Sequence, residues 1–373
     1  MKITKVEAIE LRLPEEQMVD RASAGQNSLI VKIHTDEGLV GIGEIDSHAR
    51  VAKATVDGPF VHPMCTGLGR VIVGMNPLEI RVINEKLYQS TFYYGRRGVV
   101  VQAIGGLDMA LWDLKGKYLN LPVYELLGGA FQKKMRAYAS DLWGRDGNET
   151  AQKAKRWKEM GYTAVKFGWA PMGQSERVDL DIVEGARRGA GPDMDILVDA
   201  GCCYDTVTAM KRARQFEDYD VFWFEEPLRQ DNLEGYKQLS SMSRIPIAAG
   251  EGDSGRFAWR DLIERGGIHI CQIDLARNGL TEAMRIADMA EDHGRKVVNH
   301  FYTSGINLAA GLHFIAARES AFIFEYCVEE TPIRWGVTKQ KMEIDSEGFV
   351  HVPEGPGLGI DLDEDVVDNL RVK

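Results

Sequence analysis

Residues 196–251 contain three short apolar runs, ILVDA (196–200), VFWFEEP (221–227) and IPIAAGE (245–251), and each run ends in a carboxylate. The first acid of each run lies 26 residues after the one before it. One strand, one helix and two loops fill such an interval, so the runs are predicted to be parallel strands of consecutive βα units. Five further runs have the length of strands: 135–140, 164–168, 270–274, 296–300 and 323–327. Eight strands alternating with helical stretches predict an α/β fold built on a (β/α)8-type barrel.

The acids that close the three runs are Asp199, Glu225 and Glu251. Active sites of (β/α)8 barrels lie at the carboxyl ends of the strands, and equal spacing would bring these three acids together there. Three carboxylates held that close repel each other unless a cation neutralises them. Oxygen ligation without His or Cys indicates a hard ion, Mg²⁺ before Mn²⁺ or Ca²⁺. The alternative is that each acid only caps the helix that follows its strand.

Reactive side chains also close later strands of the predicted barrel. Asp274 and His300 are again 26 residues apart, and neighbouring rim positions would let Asp274 fix one imidazole nitrogen and leave the other for proton transfer. Glu325 closes the eighth strand and is predicted to hydrogen-bond a substrate oxygen; the alternative is a rim salt bridge. Lys166 points inward on the second strand, where it would contact a substrate carboxylate or act as a base. The next inward position is Gly168, which supplies no base.

The chain before the barrel has a different pattern. Residues 2–13 and 27–46 alternate apolar and polar side chains as three strands would, and helical periodicity follows. The LLGG segment (126–129) is the predicted boundary. The expected organisation is an N-terminal α+β capping domain (1–128), a barrel catalytic domain (129–335) and a C-terminal segment (336–373) that packs back on the capping domain.

Loops of the capping domain are predicted to cover the barrel mouth. His48 follows the GIGEID strand, and Arg97 lies in YYGRR ahead of a helix. Such loops exclude water and set specificity, so both residues are assigned to substrate binding. The alternative for each is a solvated surface group.

Composition excludes several classes of partner. The formal charge is −11 and the pI about 5.4, which argues against nucleic acid and membrane surfaces as partners. We find no bilayer-spanning run and no signal-peptide core at the N-terminus. The five cysteines lack zinc-like spacing and are expected to be reduced in a cytoplasmic protein. A small-molecule substrate and a homo-oligomer are expected.

Several motifs along nearly the whole chain belong together: GIGE, GGLDMALWDLKGK (105–117), PVYELLGG (122–129), VDAG, FEEP, AGE, NHF and FEY. In these motifs the chain resembles the enolase superfamily, and specifically its mandelate racemase subgroup. The resemblance implies that Asp199, Glu225 and Glu251 bind Mg²⁺. It also implies that His300 and Asp274 form the acid/base dyad, and that Glu325 stabilises an enediolate.

Two departures from the subgroup bear on the reaction. Racemases of the subgroup carry Lys-x-Lys on the second strand, whereas this chain has Lys166-Phe167-Gly168, and Gly201 stands where the family often has Asn. The first departure resembles acid-sugar dehydratases such as L-rhamnonate dehydratase. The predicted function is therefore a Mg²⁺-dependent dehydration of a sugar acid to a 2-keto-3-deoxy acid. The alternatives are a racemase or epimerase with Lys166 as the opposing base, and a catalytically silent metal-binding barrel.

Overall fold

A computed structural model describes residues 1–14 and 26–373 of the chain. The N-terminal lobe begins with an antiparallel sheet of three strands in sequence order, as the alternating pattern predicted. The strands are β1 (Ile3–Arg12), β2 (Asn27–Thr35) and β3 (Val40–Ile45). A short hairpin and five helices follow: α1 (Ala49–Asp57), β4 (Phe60–His62), β5 (Cys65–Thr66), α2 (Leu68–Ile72), α3 (Ile80–Ser90), α4 (Val99–Leu119) and α5 (Val123–Leu126).

Helix α4 is the centre of this lobe because it is buried on most of its faces. It lies directly on strand β3, where a Cβ added at Gly43 would come within 2.2 Å of the Gly106 carbonyl oxygen. The glycines of GIGE therefore allow the helix and the sheet to approach closely.

The second lobe is a nearly closed barrel of eight parallel strands, which confirms the predicted fold class. The strands are β6 (Lys134–Leu142), β7 (Ala164–Gly168), β8 (Asp195–Asp199), β9 (Val221–Glu225), β10 (Ile247–Ala249), β11 (Ile270–Asp274), β12 (Lys296–His300) and β13 (Phe324–Cys327). The helices are α6 (Gly147–Glu159), α7 (Glu176–Ala190), α8 (Thr206–Phe216), α9 (Leu233–Met242), α10 (Arg256–Asp261), α11 (Leu275–Asp292), α12 (Gly305–Ala316) and α13 (Pro332–Gly336). Short 3₁₀ and π turns lie at Glu217–Tyr219 and Leu262–Gly266.

A side chain joins β12 to β13 at the closure of the barrel. The Asn299 amide donates to the Glu325 carbonyl at 3.2 Å and accepts from the Glu325 backbone N–H at 2.8 Å. These two bonds replace some of the backbone hydrogen bonds that direct pairing of β12 with β13 would supply.

The barrel interior has an apolar layer below a polar one. The apolar layer contains one inward side chain from each strand region: Tyr138, Ala164, Leu197, Trp223, Ala248, Ile270, Val298 and Ile323. Two residues further along the strands the inward positions are mostly polar: Ser140, Lys166, Asp199, Glu225, Gly250, Gln272, His300 and Glu325. Because inward side chains recur every second residue, the polar layer lies at the carboxyl rim.

The C-terminal residues touch both lobes. Strand β14 (Phe349–His351) pairs antiparallel with β6 of the barrel. Helix α14 (Glu364–Leu370) reaches the first sheet, where Lys32 donates to Glu364 at 2.7 Å. The assignment of 336–373 to the capping domain stays a proposal. None of the helices in the described ranges is long and apolar enough to cross a membrane.

Two buried carboxylates of the N-terminal lobe join it to the barrel. Asp108 on α4 accepts from the Thr281 backbone N–H at 2.8 Å and from its hydroxyl at 2.6 Å. Glu44 at the end of β3 accepts from the backbone N–H groups of Ser304 at 3.2 Å and Asn307 at 3.3 Å, at the start of α12. The lobes are therefore held by charge-assisted hydrogen bonds as well as by apolar contact.

Candidate active site

The structure places the three predicted metal ligands together at the carboxyl rim. Asp199 and Glu225 end β8 and β9, Glu251 follows β10, and each offers an oxygen within 4.8 Å of the others. The backbone N–H of Gly201 donates to Asp199 at 2.7 Å, and the Trp223 indole donates to Glu225 at 2.9 Å. Burial, and then the charge of Glu225, raise the pKa of Asp199 well above its usual range. A divalent cation would relieve this cost, so the all-oxygen set fits a hard ion such as Mg²⁺.

A further acid, the buried Glu226, ties together the turns that follow the three strands of the carboxylate triad. It accepts from the Cys202 thiol at 3.2 Å, from the Gln230 amide at 3.1 Å and from the Gly250 backbone N–H at 3.3 Å. Burial, and then the charge of Glu251, raise the pKa of Glu226 to about 8. Sequence reasoning missed this residue, because strand alternation points it away from its neighbour Glu225.

Lys166 lies at the floor of the site between two carboxylates. Its ammonium is 2.5 Å from a Glu225 oxygen and 2.7 Å from a Glu325 oxygen. Burial disfavours the charged ammonium, but Glu225 and Glu325 outweigh this effect and hold the pKa of Lys166 well above its usual range. Glu325 also accepts from the Ser140 hydroxyl and the Phe301 backbone N–H, each at 2.8 Å. The side chain of Glu325 is therefore fixed inside the barrel.

His300 and Asp274 form the expected pair. The His300 Nδ1 and an Asp274 oxygen are 2.7 Å apart, and Nε2 lies 3.4 Å from Glu251. The Asp274 carboxylate also accepts from the Arg277 backbone N–H at 3.0 Å and from the Asn307 amide at 3.2 Å. Burial lowers the pKa of His300, but the surrounding carboxylates, Glu251 first, raise it to about 10. Asp274 thus orients the ring and leaves Nε2 towards Glu251 of the carboxylate triad.

The N-terminal lobe contributes Asp46 to the same region. Its carboxylate accepts from the Arg277 Nε at 2.7 Å, and Arg277 also donates to the Glu251 carbonyl at 2.9 Å. One oxygen of Asp46 lies within 4.8 Å of an Asp274 oxygen and a His300 nitrogen. Sequence reasoning missed both residues of this pair. Two sequence features could have identified them: Asp46 directly follows strand β3, and Arg277 lies in the first turn of α11, three residues after Asp274.

These groups surround a cavity of about 230 Å³ at the barrel mouth. Four of the predicted residues line its wall: Lys166, Asp199, Glu251 and His300. Glu225 and Glu325 contact Lys166, and Asp274 contacts His300. The remaining lining residues are Asp46, Ser140, Asp141, Gly168, Trp169, Arg277 and Tyr302. The Tyr302 ring stacks parallel to His300 with centroids 6.3 Å apart.

Gly168 leaves no room for a second base on β7. A Cβ added there would come within 2.4 Å of an Asp199 carboxylate oxygen. Any side chain at this position would therefore displace a proposed metal ligand.

The structure places His48 and Arg97 outside this cavity. The chain turns away after Asp46, so that His48, the residue before α1, has an exposed side chain in a separate surface pocket. Arg97 lines another cleft and lies 3.8 Å from Asp261 of α10. Loop residues have no periodicity that fixes their direction, and the assignment of these two to substrate binding stays a prediction.

Comparison with known proteins agrees with the fold and the motifs. Residues 149–366 match the enolase C-terminal domain-like family, and residues 3–128 match the N-terminal domain of mandelate racemase/muconate lactonizing enzyme. D-galactonate dehydratase of Pectobacterium atrosepticum is 32% identical, with 98% of this chain and 94% of that protein covered. D-galactarolactone cycloisomerase of Agrobacterium fabrum is 30% identical, covering 92% and 91%. The crystal structure of 3,6-anhydro-D-galactonate cycloisomerase from Zobellia galactanivorans superposes with a TM-score of 0.90 at 31% identity, covering both chains completely.

Proposed function

Because this chain belongs to the mandelate racemase/muconate lactonizing enzyme family of the enolase superfamily, we propose that it is a sugar-acid dehydratase, a carbon–oxygen hydro-lyase. Its substrate would lose the proton next to the carboxylate and the hydroxyl on the following carbon. The enol product would then tautomerise to a 2-keto-3-deoxy acid. The observation that carries this proposal is one oriented acid/base dyad beside a carboxylate triad, with Gly168 in place of a second base.

Asp199, Glu225 and Glu251 are the residues that would hold Mg²⁺. When bound, the ion supplies positive charge that stabilises the substrate carboxylate oxygens as negative charge develops on them. Lys166 adds a fixed positive charge at the floor of the cavity, where it would position the same carboxylate. Glu325, whose carboxylate lies 2.7 Å from that ammonium, would hydrogen-bond a substrate oxygen.

His300 would perform both proton transfers. Its Nδ1 is engaged by Asp274, so Nε2 is the atom that would remove the α-proton. A cation held by Glu251 would offset the carboxylate that contributes most to the raised pKa of His300, and would so favour the neutral imidazole that this step needs. The same nitrogen would then give that proton to the leaving hydroxyl, which departs as water. One group serving both steps requires the proton and the hydroxyl to leave from the same face of the substrate.

The second candidate is epimerisation, which needs acid/base groups on both faces of the carbanion. Lys166 lines the cavity and would be the opposing base. Both carboxylates beside its ammonium would have to give way for it to reach the α-carbon, so dehydration is favoured.

A screen of mono- and dicarboxylic sugar acids with Mg²⁺, scored by 2-keto acid formation, tests the proposal. In His300→Asn, both 2-keto acid formation and exchange of the α-proton with deuterated solvent should fall by at least about 10²–10⁴-fold. Exchange that persists while dehydration is lost would identify Lys166 as the base and favour epimerisation. Persistence of both would refute the assignment of the site. Cytoplasmic location and homo-oligomeric assembly stay predictions.

A further inference from the structure

Asp46 and Arg277 form an ion pair in the wall of the site cavity, across the boundary between the two lobes. Both side chains are largely buried, with 10% and 23% of their surface exposed. Asp46 is held there by its backbone as well, since its N–H donates to the Ala276 carbonyl at 3.1 Å. Asp46 is the N-terminal-lobe residue that lines the cavity among those described, so the pair faces substrate atoms on the side of that lobe.

The positive charges in the described part of the cavity wall already lie beside carboxylates. Lys166, which lies between Glu225 and Glu325, is proposed to position the first carboxylate, and His300 lies beside Asp274 and Glu251. The remaining cation in the described part of the wall is Arg277, which faces Asp46 at 2.7 Å.

Among the described residues, the same wall carries an excess of negative groups. Its acids are Asp46, Asp141, Asp199 and Glu251. If Asp199 and Glu251 help to hold the cation that binds the substrate's first carboxylate, then Asp46 and Asp141 are left for the rest of the substrate. Asp141 is compensated from outside the cavity, where Lys153 lies 3.1 Å away.

From this arrangement we infer that the preferred substrates are monocarboxylic sugar acids (aldonates), and that Asp46 excludes the dicarboxylic ones (aldarates) by neutralising Arg277. The inference rests on the proposed function. A second carboxylate would meet two acids and an arginine already paired, and like charges at close range oppose binding. Hydroxyl groups instead donate to carboxylates and accept from a guanidinium, so a neutral polyhydroxylated end fits this wall.

The test compares kcat/KM for aldonates and for aldarates of the same configuration. The wild-type enzyme should prefer the aldonate at least tenfold. Asp46→Asn keeps the shape of the side chain but frees the charge of Arg277, so the aldarate/aldonate ratio should rise at least tenfold. The ratio is the quantity to compare because any effect of Asp46 on the nearby dyad changes kcat/KM for both substrates by the same factor.

Asp57→Asn is the matched control, since Asp57 is an exposed acid of the same lobe that pairs with Lys53. This control should leave the ratio unchanged. Competitive inhibition of the wild-type enzyme by unreactive mono- and dicarboxylates gives a second measurement that needs no variant, and the monocarboxylates should bind more tightly.

A wild-type preference for aldarates, or an unchanged ratio in Asp46→Asn, would overturn the inference and leave dehydration standing. If no sugar acid of either class reacted, the proposed function would fall and this inference with it.

Discussion

Glu44 is the acceptor that holds the start of helix α12 against the N-terminal lobe, and its removal should destabilise the protein measurably. One carboxylate oxygen accepts from the backbone N–H groups of Ser304 and Asn307 and from the hydroxyls of Thr303 and Ser304. The other accepts from the Ser28 hydroxyl at 2.6 Å. The side chain is fully buried, so bulk water does not compete for these bonds in the native protein.

The magnitude follows from the donors that would lose their partner. Hydroxyls can rotate to other acceptors, but the two backbone N–H groups cannot. A buried donor left unsatisfied costs about 1–3 kcal/mol, so Glu44→Ala should lower the free energy of unfolding by about 2–6 kcal/mol. Burial raises the pKa of Glu44, so removing a costly buried charge offsets part of this loss and favours the lower half of that range.

Glu44→Gln separates hydrogen bonding from charge. The amide oxygen can take the place of the oxygen that accepts four donors, and the amide NH₂ can donate to Ser28. The expected cost is about 1 kcal/mol or less, typical of replacing a satisfied hydrogen bond by another.

Urea unfolding of the intact chain, followed by tryptophan fluorescence, gives the overall loss. Amide hydrogen exchange at Ser304 and Asn307 shows whether it is local to α12. Equal losses in Glu44→Gln and Glu44→Ala would show that charge, and not the number of acceptors, holds the helix. A loss below about 1 kcal/mol in Glu44→Ala, with unchanged exchange, would refute the reasoning.

Three further variants test other parts of the molecule. Glu225→Gln should weaken Mg²⁺ binding at least about tenfold by calorimetry, and unchanged affinity would remove Glu225 from the ligand set. Lys166→Met should raise KM more than it lowers kcat if the ammonium only positions the carboxylate, whereas loss of turnover with intact binding would make it a base. Burial raises the pKa of Asp108 to about 6 in the folded protein. As the pH rises, Asp108 therefore loses its proton later in the folded protein than in the unfolded chain. The free energy of unfolding should therefore fall by on the order of 2 kcal/mol as pH rises from 4 to 6. Urea titrations of Asp108→Asn should show a smaller fall over this range. An equally steep fall in the variant would show that Asp108 is not the group responsible.

The barrel and the carboxylate triad were predictable because both follow from short-range patterns. An apolar run that ends in an acid marks the end of a strand, and parallel neighbours bring such ends together. Asp199, Glu225 and Glu251 therefore meet without any knowledge of the rest of the fold. The same reasoning placed Asp274 beside His300.

The missed residues depend on geometry that local patterns do not contain. Asp46 and Arg277 are 231 positions apart and meet because α4 docks on α11. Glu226 follows the last residue of a strand with a backbone φ of 35°, and this left-handed conformation interrupts the strand alternation, so periodicity does not give the direction of its side chain. His48 and Arg97 lie in loops, whose direction is set by the packing of the whole N-terminal lobe.

The contact between Gly168 and Asp199 also constrains how this enzyme could change over evolutionary time. A lysine at 168 cannot be accepted while Asp199 keeps its present position, because its first side-chain atom already overlaps the carboxylate. Asp199 is itself fixed by the backbone N–H of Gly201, which lies at the other departure from the racemase pattern. Both departures therefore lie beside one carboxylate. Conversion to a two-base enzyme requires the Asp199 carboxylate to shift together with the change at position 168.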